Sequence, residues 1–276
     1  IATQDLFQER LLVNNLGIVA LATGEWEAAK VYLERNLNLS ERAGNLTKHT
    51  YALMNHALYL SAVGLYEEAR QELLQGLSIA RTTRHRQSEI YTLQFLSLTN
   101  FYGGRSQSGL KFAEEALALV EEYHYAGLKA ATLAVLGHNY LALDQIEKAH
   151  ELYEESISLW RAMNNHLEVG TVLIANAYAL LRLGRLTEAL RYTESTMQML
   201  DAILAENAME AMWVIIGCFF VLQEANDDRR YTVLQRGSQQ LLRQAETLRD
   251  PVVHEAFLNN IYPHRLIMRA VGSSRQ

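Results

Sequence analysis

Histidine is the residue type in this chain best suited to metal binding and acid–base chemistry, and its spacing favours neither. The nine histidines include no pair with the HExxH arrangement, which places two metal ligands and a general base on one helix face. His254-Glu255 lacks the second histidine, and His49 and His56, seven residues apart, have no carboxylate companion on their face. The sequence therefore predicts no metal site and no cofactor.

A glycine-rich turn and the single cysteine are the next candidates for chemistry. Residues 104–109 have the glycine spacing of a phosphate loop, but Leu110 and Lys111 follow where a lysine and then a serine or threonine are required. Cys218 lies in the most apolar stretch, 211–222, where a buried and unreactive thiol is expected. No nucleophile–base set or carboxylate pair can be placed in one site, so we expect a protein that is not an enzyme.

Composition excludes further classes of function. With 25 Lys and Arg against 31 Asp and Glu, the 276-residue chain has a formal net charge of −6, which disfavours direct nucleic-acid binding. Apolar residues make up 49%, as in a globular protein. The stretch 211–222 would form a helix of about 18 Å, too short for a bilayer of roughly 30 Å. Because the sequence begins at Ile1 without a leader, we expect a cytoplasmic fragment of a longer protein.

A 40-residue period defines the elements that would position any site. Only two prolines, Pro251 and Pro263, occur, which favours long helices. The recurring turn residues are Gly24, Gly64, Gly104, Asp144 and Gly184. Seven positions before the turn, the residues are small: Gly17, Ala57, Ser97, Gly137, Ala177 and Gly217. Eleven positions before it, they are apolar: Val13, Leu53, Leu93, Leu133, Leu173 and Trp213. Because small residues let antiparallel helices approach closely, each unit is predicted to be a hairpin of two helices, a first helix and a second helix.

These columns resemble the tetratricopeptide repeat. The resemblance rests on Asn15, Leu16, Gly17, Gly24, Trp26, Ala29 and Leu33, and on Leu136, Gly137, Tyr140, Ala149 and Tyr153. The usual period is 34 residues, and the longer period is similar to that of kinesin light chains and bacterial signalling regulators. His56 and Asn176 replace the usual leucine, and Asn36 the usual alanine. The resemblance implies an all-α, right-handed solenoid of about six helix hairpins plus a capping helix.

The whole chain, 1–276, is predicted to be one superhelical domain. Its units are expected at about 10–49, 50–89, 90–129, 130–169, 170–209 and 210–249, followed by a capping helix and tail at 250–276. In the sixth unit, a longer turn at 224–228 should delay the second helix until near Arg230.

The C-terminal end of the chain carries its own signals. Asp250 and Pro251 predict the N-cap and first residue of a capping helix at 251–260, and Pro263 predicts a last short helix. Residues 248–270 resemble the end of the tetratricopeptide arrays of large bacterial regulators. In those proteins the C-terminal array is a sensor coupled to an NTPase switch and to a cyclase or DNA-binding output.

The resemblance also places the first helix of each unit on the concave wall of the solenoid. The register then puts on that wall Asn14, Asn15, Ile18, Tyr51, Met54, Asn55, Leu58, Tyr91, Gln94, Phe95, Leu98, Tyr102, Val135, His138, Ile174, Tyr178 and Arg182. The candidate ligand-binding residues among them are Asn14, Asn15, Tyr51, Asn55, Tyr91, Gln94, Phe95, His138, Tyr178 and Arg182. Side-chain amides can bond a peptide backbone, and aromatic rings supply contact area at low entropic cost. The alternative is that several of these side chains pack against the neighbouring helix, because helical periodicity does not separate groove from core.

The first functional hypothesis is a non-enzymatic binding module, the sensor or docking part of a larger bacterial regulatory protein. Its partners would be a peptide or protein in the groove and other domains of the same chain, with no direct nucleic-acid contact and no membrane. One alternative is a peptide-pheromone-type receptor, in which the peptide is held by Asn15, Asn55, Tyr51 and Tyr91. Another is an assembly scaffold, a homodimer formed through the sixth unit or the N-terminal edge. A carboxylate clamp of the chaperone-binding type is disfavoured, because Arg182 is the only cation on the wall.

Overall fold

The computed structural model describes residues 2–273, and this part of the chain is built of α-helices without a β-strand. The helices are α1 (Ala2–Thr23), α2 (Trp26–Arg42), α3 (Leu46–Ala62), α4 (Tyr66–Thr82), α5 (Arg86–Tyr102), α6 (Ser106–Tyr123), α7 (Ala126–Ala142), α8 (Ile146–Ala162), α9 (His166–Arg182), α10 (Leu186–Gln198), α11 (Leu200–Glu206), α12 (Ala208–Glu224), α13 (Arg229–Thr247), α14 (Pro251–Asn259) and α15 (Tyr262–Ser273). The predicted all-α fold class is confirmed.

Helices α1 to α10, called the array below, form five antiparallel hairpins that stack in sequence order. The predicted turn column adopts the left-handed backbone throughout, with φ of 76°, 82°, 74°, 62° and 73° at Gly24, Gly64, Gly104, Asp144 and Gly184. Asp144 is the only one of these with a side chain, and a left-handed residue with a Cβ costs about 1 kcal/mol or more. The 40-residue period predicted from residue types is therefore also a period in backbone conformation.

A second set of residues with left-handed backbone lies in the turns between consecutive hairpins, and it was not predicted from the sequence. Gly44, Arg84, His124 and Asn164 have φ of 65°, 54°, 57° and 54° and again lie 40 residues apart. The helix that follows often begins with a side-chain cap: Asn45, His85 and Asn165 accept hydrogen bonds from the backbone N–H three residues further on.

Small residues at the predicted positions allow close helix packing. A Cβ on Gly17 would lie 2.5 Å from Cδ2 of Leu33 on the partner helix, and a Cβ on Gly137 would lie 2.5 Å from Cε1 of Tyr153. Leu33 and Tyr153 are both fully buried. In these two hairpins the glycine therefore lets the backbone of one helix lie directly against a buried side chain of the other, as the small-residue column predicts.

The regular register ends after α10. Helix α10 stops at Gln198, the short helix α11 follows, and α12 begins at Ala208 without a left-handed turn at position 204. The turn after α12 is extended, with φ of 53° at Asn226, and α13 resumes at Arg229, next to the predicted Arg230. Asp250 caps α14 through a 3.0 Å bond from the Val252 N–H, and Pro251 opens that helix.

Helices α11 to α15, called the closure below, return to the start of the array. The α12 helix packs against α9, near the end of the array, and also against α1 at its start. Nδ2 of Asn260 donates to the Gly64 carbonyl over 3.0 Å, and the Arg249 N–H donates to Oε1 of Glu27 over 3.0 Å. The solenoid therefore closes on itself.

Helix α12 is the most apolar of the described helices. It contains the stretch 211–222, and Cys218 within it is fully buried. Burial raises the pKa of that thiol to about 12, which leaves it protonated and unreactive. Among the helices of residues 2–273, none has the length and hydrophobicity of a membrane-spanning segment.

Candidate ligand-binding cavities

Two adjoining cavities lie where the first helices of units three to five, α5, α7 and α9, meet α12. Cavity I, of about 440 Å³, is lined by Phe101, Tyr102, His138, Leu141, Ala142, Asp144, Thr171, Ile174, Ala175, Tyr178, Arg182, Glu210, Trp213, Val214, Ile216, Gly217, Phe220 and Tyr262. Cavity II, of about 750 Å³, is lined by Leu58, Gln87, Tyr91, Gln94, Phe95, Leu98, His124, Tyr125, Gly127, Leu128, Ala131, Ala134, Val135, His138, Trp160, Glu168, Thr171, Val172, Asn207, Met209 and Glu210. Volumes of this size suit small molecules or a few peptide side chains.

Aromatic rings form much of the wall of cavity I. The Trp213 ring lies 5.4 Å from the Phe101 ring and stacks on Tyr102 at 5.6 Å, measured between centroids. Tyr262, from the last helix of the closure, adds a fourth ring 6.0 Å from Trp213. Array and closure both contribute to this wall, which offers a ligand rigid apolar surface.

A polar partition separates the two cavities. His138, Thr171 and Glu210 line both of them, and the Tyr102 hydroxyl donates a hydrogen bond to Oε1 of Glu210. Desolvation raises the pKa of Glu210 to about 7; the bond from Tyr102 acts against this rise, and the nearby charge of Glu168 adds to it. Glu210 therefore changes its charge close to neutral pH.

The His138 ring is the neutral part of this partition. The Tyr153 hydroxyl lies 2.8 Å from Nδ1 of His138, and the Phe101 ring stacks on the imidazole with centroids 5.3 Å apart. Desolvation lowers the pKa of His138 to about 4. The imidazole is therefore uncharged at neutral pH and offers hydrogen bonding without charge. Within residues 2–273, no group of three or more His, Cys, Asp or Glu side chains is arranged to hold a metal ion.

Comparisons with known proteins agree with the observed fold. Residues 130–166, which span most of α7 and all of α8, match the profile of the tetratricopeptide repeat family. The chain is a tetratricopeptide-like solenoid. The search of curated proteins found no match.

Solved structures share this tetratricopeptide-like fold along nearly the whole chain. A Rap protein complexed with competence and sporulation factor matches with a TM-score of 0.67 and 13% identity, covering 97% of this chain and 77% of that one. NprR in complex with its cognate peptide NprX gives a TM-score of 0.67, 17% identity and coverages of 98% and 77%. A signal transduction ATPase (STAND) protein with a tetratricopeptide repeat sensor, from Pyrococcus horikoshii, matches with a TM-score of 0.54 and 17% identity. That match covers 97% of this chain and 39% of the other.

Six of the ten candidate binding residues line the cavities of the tetratricopeptide-like groove. Tyr91, Gln94, Phe95 and His138 face cavity II, and His138, Tyr178 and Arg182 face cavity I. Three of them also have structural partners, and one of the three is His138 with its hydrogen bond to the Tyr153 hydroxyl. Nε2 of Gln94 donates to the Leu128 carbonyl over 2.9 Å and to the Thr132 hydroxyl over 2.7 Å, and Arg182 is 2.7 Å from Oδ1 of Asp144.

The other four candidates, Asn14, Asn15, Tyr51 and Asn55, line neither cavity. Oδ1 of Asn14 accepts hydrogen bonds from Asn36 over 3.0 Å and from Asn55 over 2.9 Å. This amide network ties α1 to α2 and α3, which is the packing alternative that periodicity left open. The placement of Met54 on the wall is wrong: its side chain is 2% exposed and belongs to the core.

Sequence reasoning missed the contribution of the closure. Trp213 stands in the apolar column of Leu173, yet Leu173 is buried in the core while Trp213 faces cavity I. Because α11 replaces the regular turn before α12, the register is not carried into the sixth unit. Glu168 and Glu210 were missed as well. The sequence carries a signal for both, because each is an acidic residue in the first turn of the helix that begins its unit.

Proposed function

We propose that this solenoid is a non-enzymatic binding module that holds a peptide, or a short segment of a partner protein, across cavities I and II. The observation that carries the proposal is the wall they share, in which aromatic rings surround a partition of Glu210, His138 and Thr171. Such apolar surface with a few convergent polar groups is the usual composition of a ligand site. NprR, described in complex with its cognate peptide, and the Rap protein, complexed with competence and sporulation factor, have a similar fold.

We further propose that the module is the sensor of a larger bacterial regulatory protein. The similarity to the STAND protein with a tetratricopeptide repeat sensor supports this setting, and the match spans 39% of that protein. The mechanism would act through α12, which lines both cavities and also contacts α1 and α9. A ligand that prefers one position of α12 shifts the packing of the closure on the array by its differential affinity.

Pools of short synthetic peptides, incubated with the 276-residue chain and identified by mass spectrometry, test this proposal. Two variants block the cavities from within: Ala131→Trp in cavity II and Ala175→Trp in cavity I, both at partly exposed positions. The matched control is Ala118→Trp, at an exposed position on α6 that lines neither cavity. We expect peptide enrichment on the native chain and the control and its loss on at least one blocked variant. Equal enrichment on all four proteins would place the binding site elsewhere and refute the proposal.

Assembly is a second candidate, favoured by an exposed apolar face of α1. Leu12 and Val19 on that helix are 59% and 60% exposed, and Leu11 and Ile18 are exposed beside them. Apolar side chains grouped in this way are typical of protein–protein contacts. Light scattering over a range of concentrations tests self-association. A dimer that Val19→Glu dissolves supports the face, whereas a monomer at high concentration rules out a homodimer.

A further inference from the structure

Among the side chains that line the two cavities, carboxyl groups outnumber lysine and arginine. Glu168 and Glu210 line cavity II, and no lysine or arginine is among its lining residues. In cavity I the one such cation is Arg182, and it is already paired with Asp144 at 2.7 Å. The space in which a ligand would lie therefore faces carboxylates that no described cation neutralises.

Glu168 is the least compensated of these groups. It stands in the first turn of α9, where Asn165 caps its backbone N–H, but no hydrogen bond or ion pair links its carboxylate to any described residue. The side chain is only partly exposed, and desolvation raises the pKa of its carboxyl. Holding an acidic group away from water without a partner costs free energy, and a bound cation would recover it.

Glu210 faces the same space from the neighbouring helix. It stands in the first turn of α12, which packs against α9, and its hydrogen bond from Tyr102 leaves the second carboxylate oxygen without a donor among the described residues. The two acidic groups are close enough for the charge of Glu168 to raise the pKa of Glu210. Both residues line cavity II, so a cation bound there would face two acidic groups.

We propose that cavity II contains a cation subsite, in which an ammonium or guanidinium group of the bound peptide lies against Glu168 and Glu210. This inference rests on the proposed binding function and specifies its ligand: a peptide with a lysine, an arginine or a free N-terminus at this position. The Tyr91 and Phe95 rings, stacked with centroids 6.4 Å apart, and Trp160 complete the lining. Aromatic faces attract cations as well as apolar side chains, whereas an acidic or phosphorylated peptide would be repelled here.

Matched peptide pools test the subsite on the full chain. Each pool carries one fixed central residue, which is arginine, lysine, norleucine or glutamate, and each is made with a free and with an acetylated N-terminus. We expect enrichment of the arginine or lysine pools, or of the free N-terminus, over the norleucine pool, and depletion of the glutamate pool. Comparison of the arms identifies which source supplies the cation.

Glu168→Gln is the decisive variant, because it removes the charge and keeps the shape of a side chain that has no structural partner. Its control is Glu151→Gln, an exposed position on α8 outside both cavities. The selected cationic peptide should bind about tenfold or more weakly to Glu168→Gln, as loss of a charged hydrogen bond predicts, and unchanged to Glu151→Gln.

The two proposals fail in different ways. If neutral or acidic pools are enriched as strongly as cationic ones, or if Glu168→Gln binds like the native chain, the cation subsite is refuted while the groove proposal stands. If no pool is enriched on the native chain, the groove proposal fails and the cation subsite fails with it. Circular dichroism of both variants, expected to overlay with that of the native chain, separates loss of charge from loss of fold.

Discussion

The array and the closure hold the same solenoid together in different ways. In the array each helix packs mainly on its sequence neighbours, and every turn repeats after 40 residues. In the closure the decisive contacts join residues far apart in sequence, such as Asn260 with Gly64 and Arg249 with Glu27. Repeat stability is normally a sum of nearest-neighbour terms. Here the closure adds long-range contacts that make the two ends depend on each other, and both cavities use the α12 helix that it supplies.

The largest expected effect comes from emptying the centre of the closure. Phe257 on α14 is fully buried, with its ring 6.0 Å from Trp26 of α2 and 4.4 Å from His264. Phe257→Ala should cost about 3–5 kcal/mol in chemical denaturation. Hydrogen exchange should quicken in α1 and α2 as well as in α14, because the ends are coupled. The control is Val252→Ala, at a 68% exposed position on the same helix. If exchange quickens in α14 alone, the array is independent of the closure.

The next effect is a pH dependence at the junction of the two regions. Because desolvation raises the pKa of Glu210 from 4.5 to about 7, the folded state holds a proton that the unfolded state has released. The contribution of this carboxyl to the free energy of unfolding therefore falls as the pH rises, and it is lowest above pH 7. Glu210→Gln should gain up to about 2 kcal/mol relative to the native chain between about pH 5.5 and about pH 8. Glu206→Gln, exposed on α11, should show no such trend. A gain that is the same at both pH values would contradict a raised pKa.

Within the array, the packing glycines should be more sensitive than glycines with space around them. A Cβ on Gly137 would lie 2.5 to 2.9 Å from the Tyr153 ring, whereas a Cβ on Gly127 of the same helix would meet only Sδ of Met163 at 3.8 Å. Gly137→Ala should destabilise by about 1–2 kcal/mol, and Gly127→Ala should stabilise by about 0.5–1 kcal/mol. Thermal melts of both variants check the difference. If the two midpoints shift in the same direction, close packing at Gly137 does not determine the stability of the array.

The smallest expected effect is at the contact between the last turn of the closure and the array. Asn260→Ala removes the 3.0 Å hydrogen bond to the Gly64 carbonyl and should cost about 1 kcal/mol. Asn259→Ala, the exposed neighbour, should be nearly neutral. Denaturant midpoints measure both variants. If the two lose equal stability, the effect belongs to the end of α14 and the Gly64 contact contributes nothing.

The sequence predicted the array well because its signals are local. Glycine at Gly24 or Gly184 marks a left-handed turn, and a small residue at Gly137 marks a close approach. The second turn column escaped detection because it shares a backbone conformation and not a residue type. Arg84 and His124 adopt positive φ at a cost that the surrounding helices offset.

The cavities were predicted only in part, for two physical reasons. Helical periodicity does not say whether a side chain such as Asn14 or Gln94 points at a ligand or at a neighbouring helix, and the structure shows both using their amides within the fold. The partition depends on a pair, Tyr102 and Glu210, separated by 108 residues. No local pattern contains that information, because it follows from the curvature of all the intervening units.

The meeting of α12 with α1 also bears on how such a protein can change its length. Open solenoids lengthen or shorten by duplicating or deleting a unit, since each unit touches only its neighbours. In this chain an inserted hairpin would shift Asn260 away from Gly64 and disrupt the contacts between the closure and the start of the array. The contacts between the closure and the array therefore tie the number of repeats to the geometry of the whole solenoid.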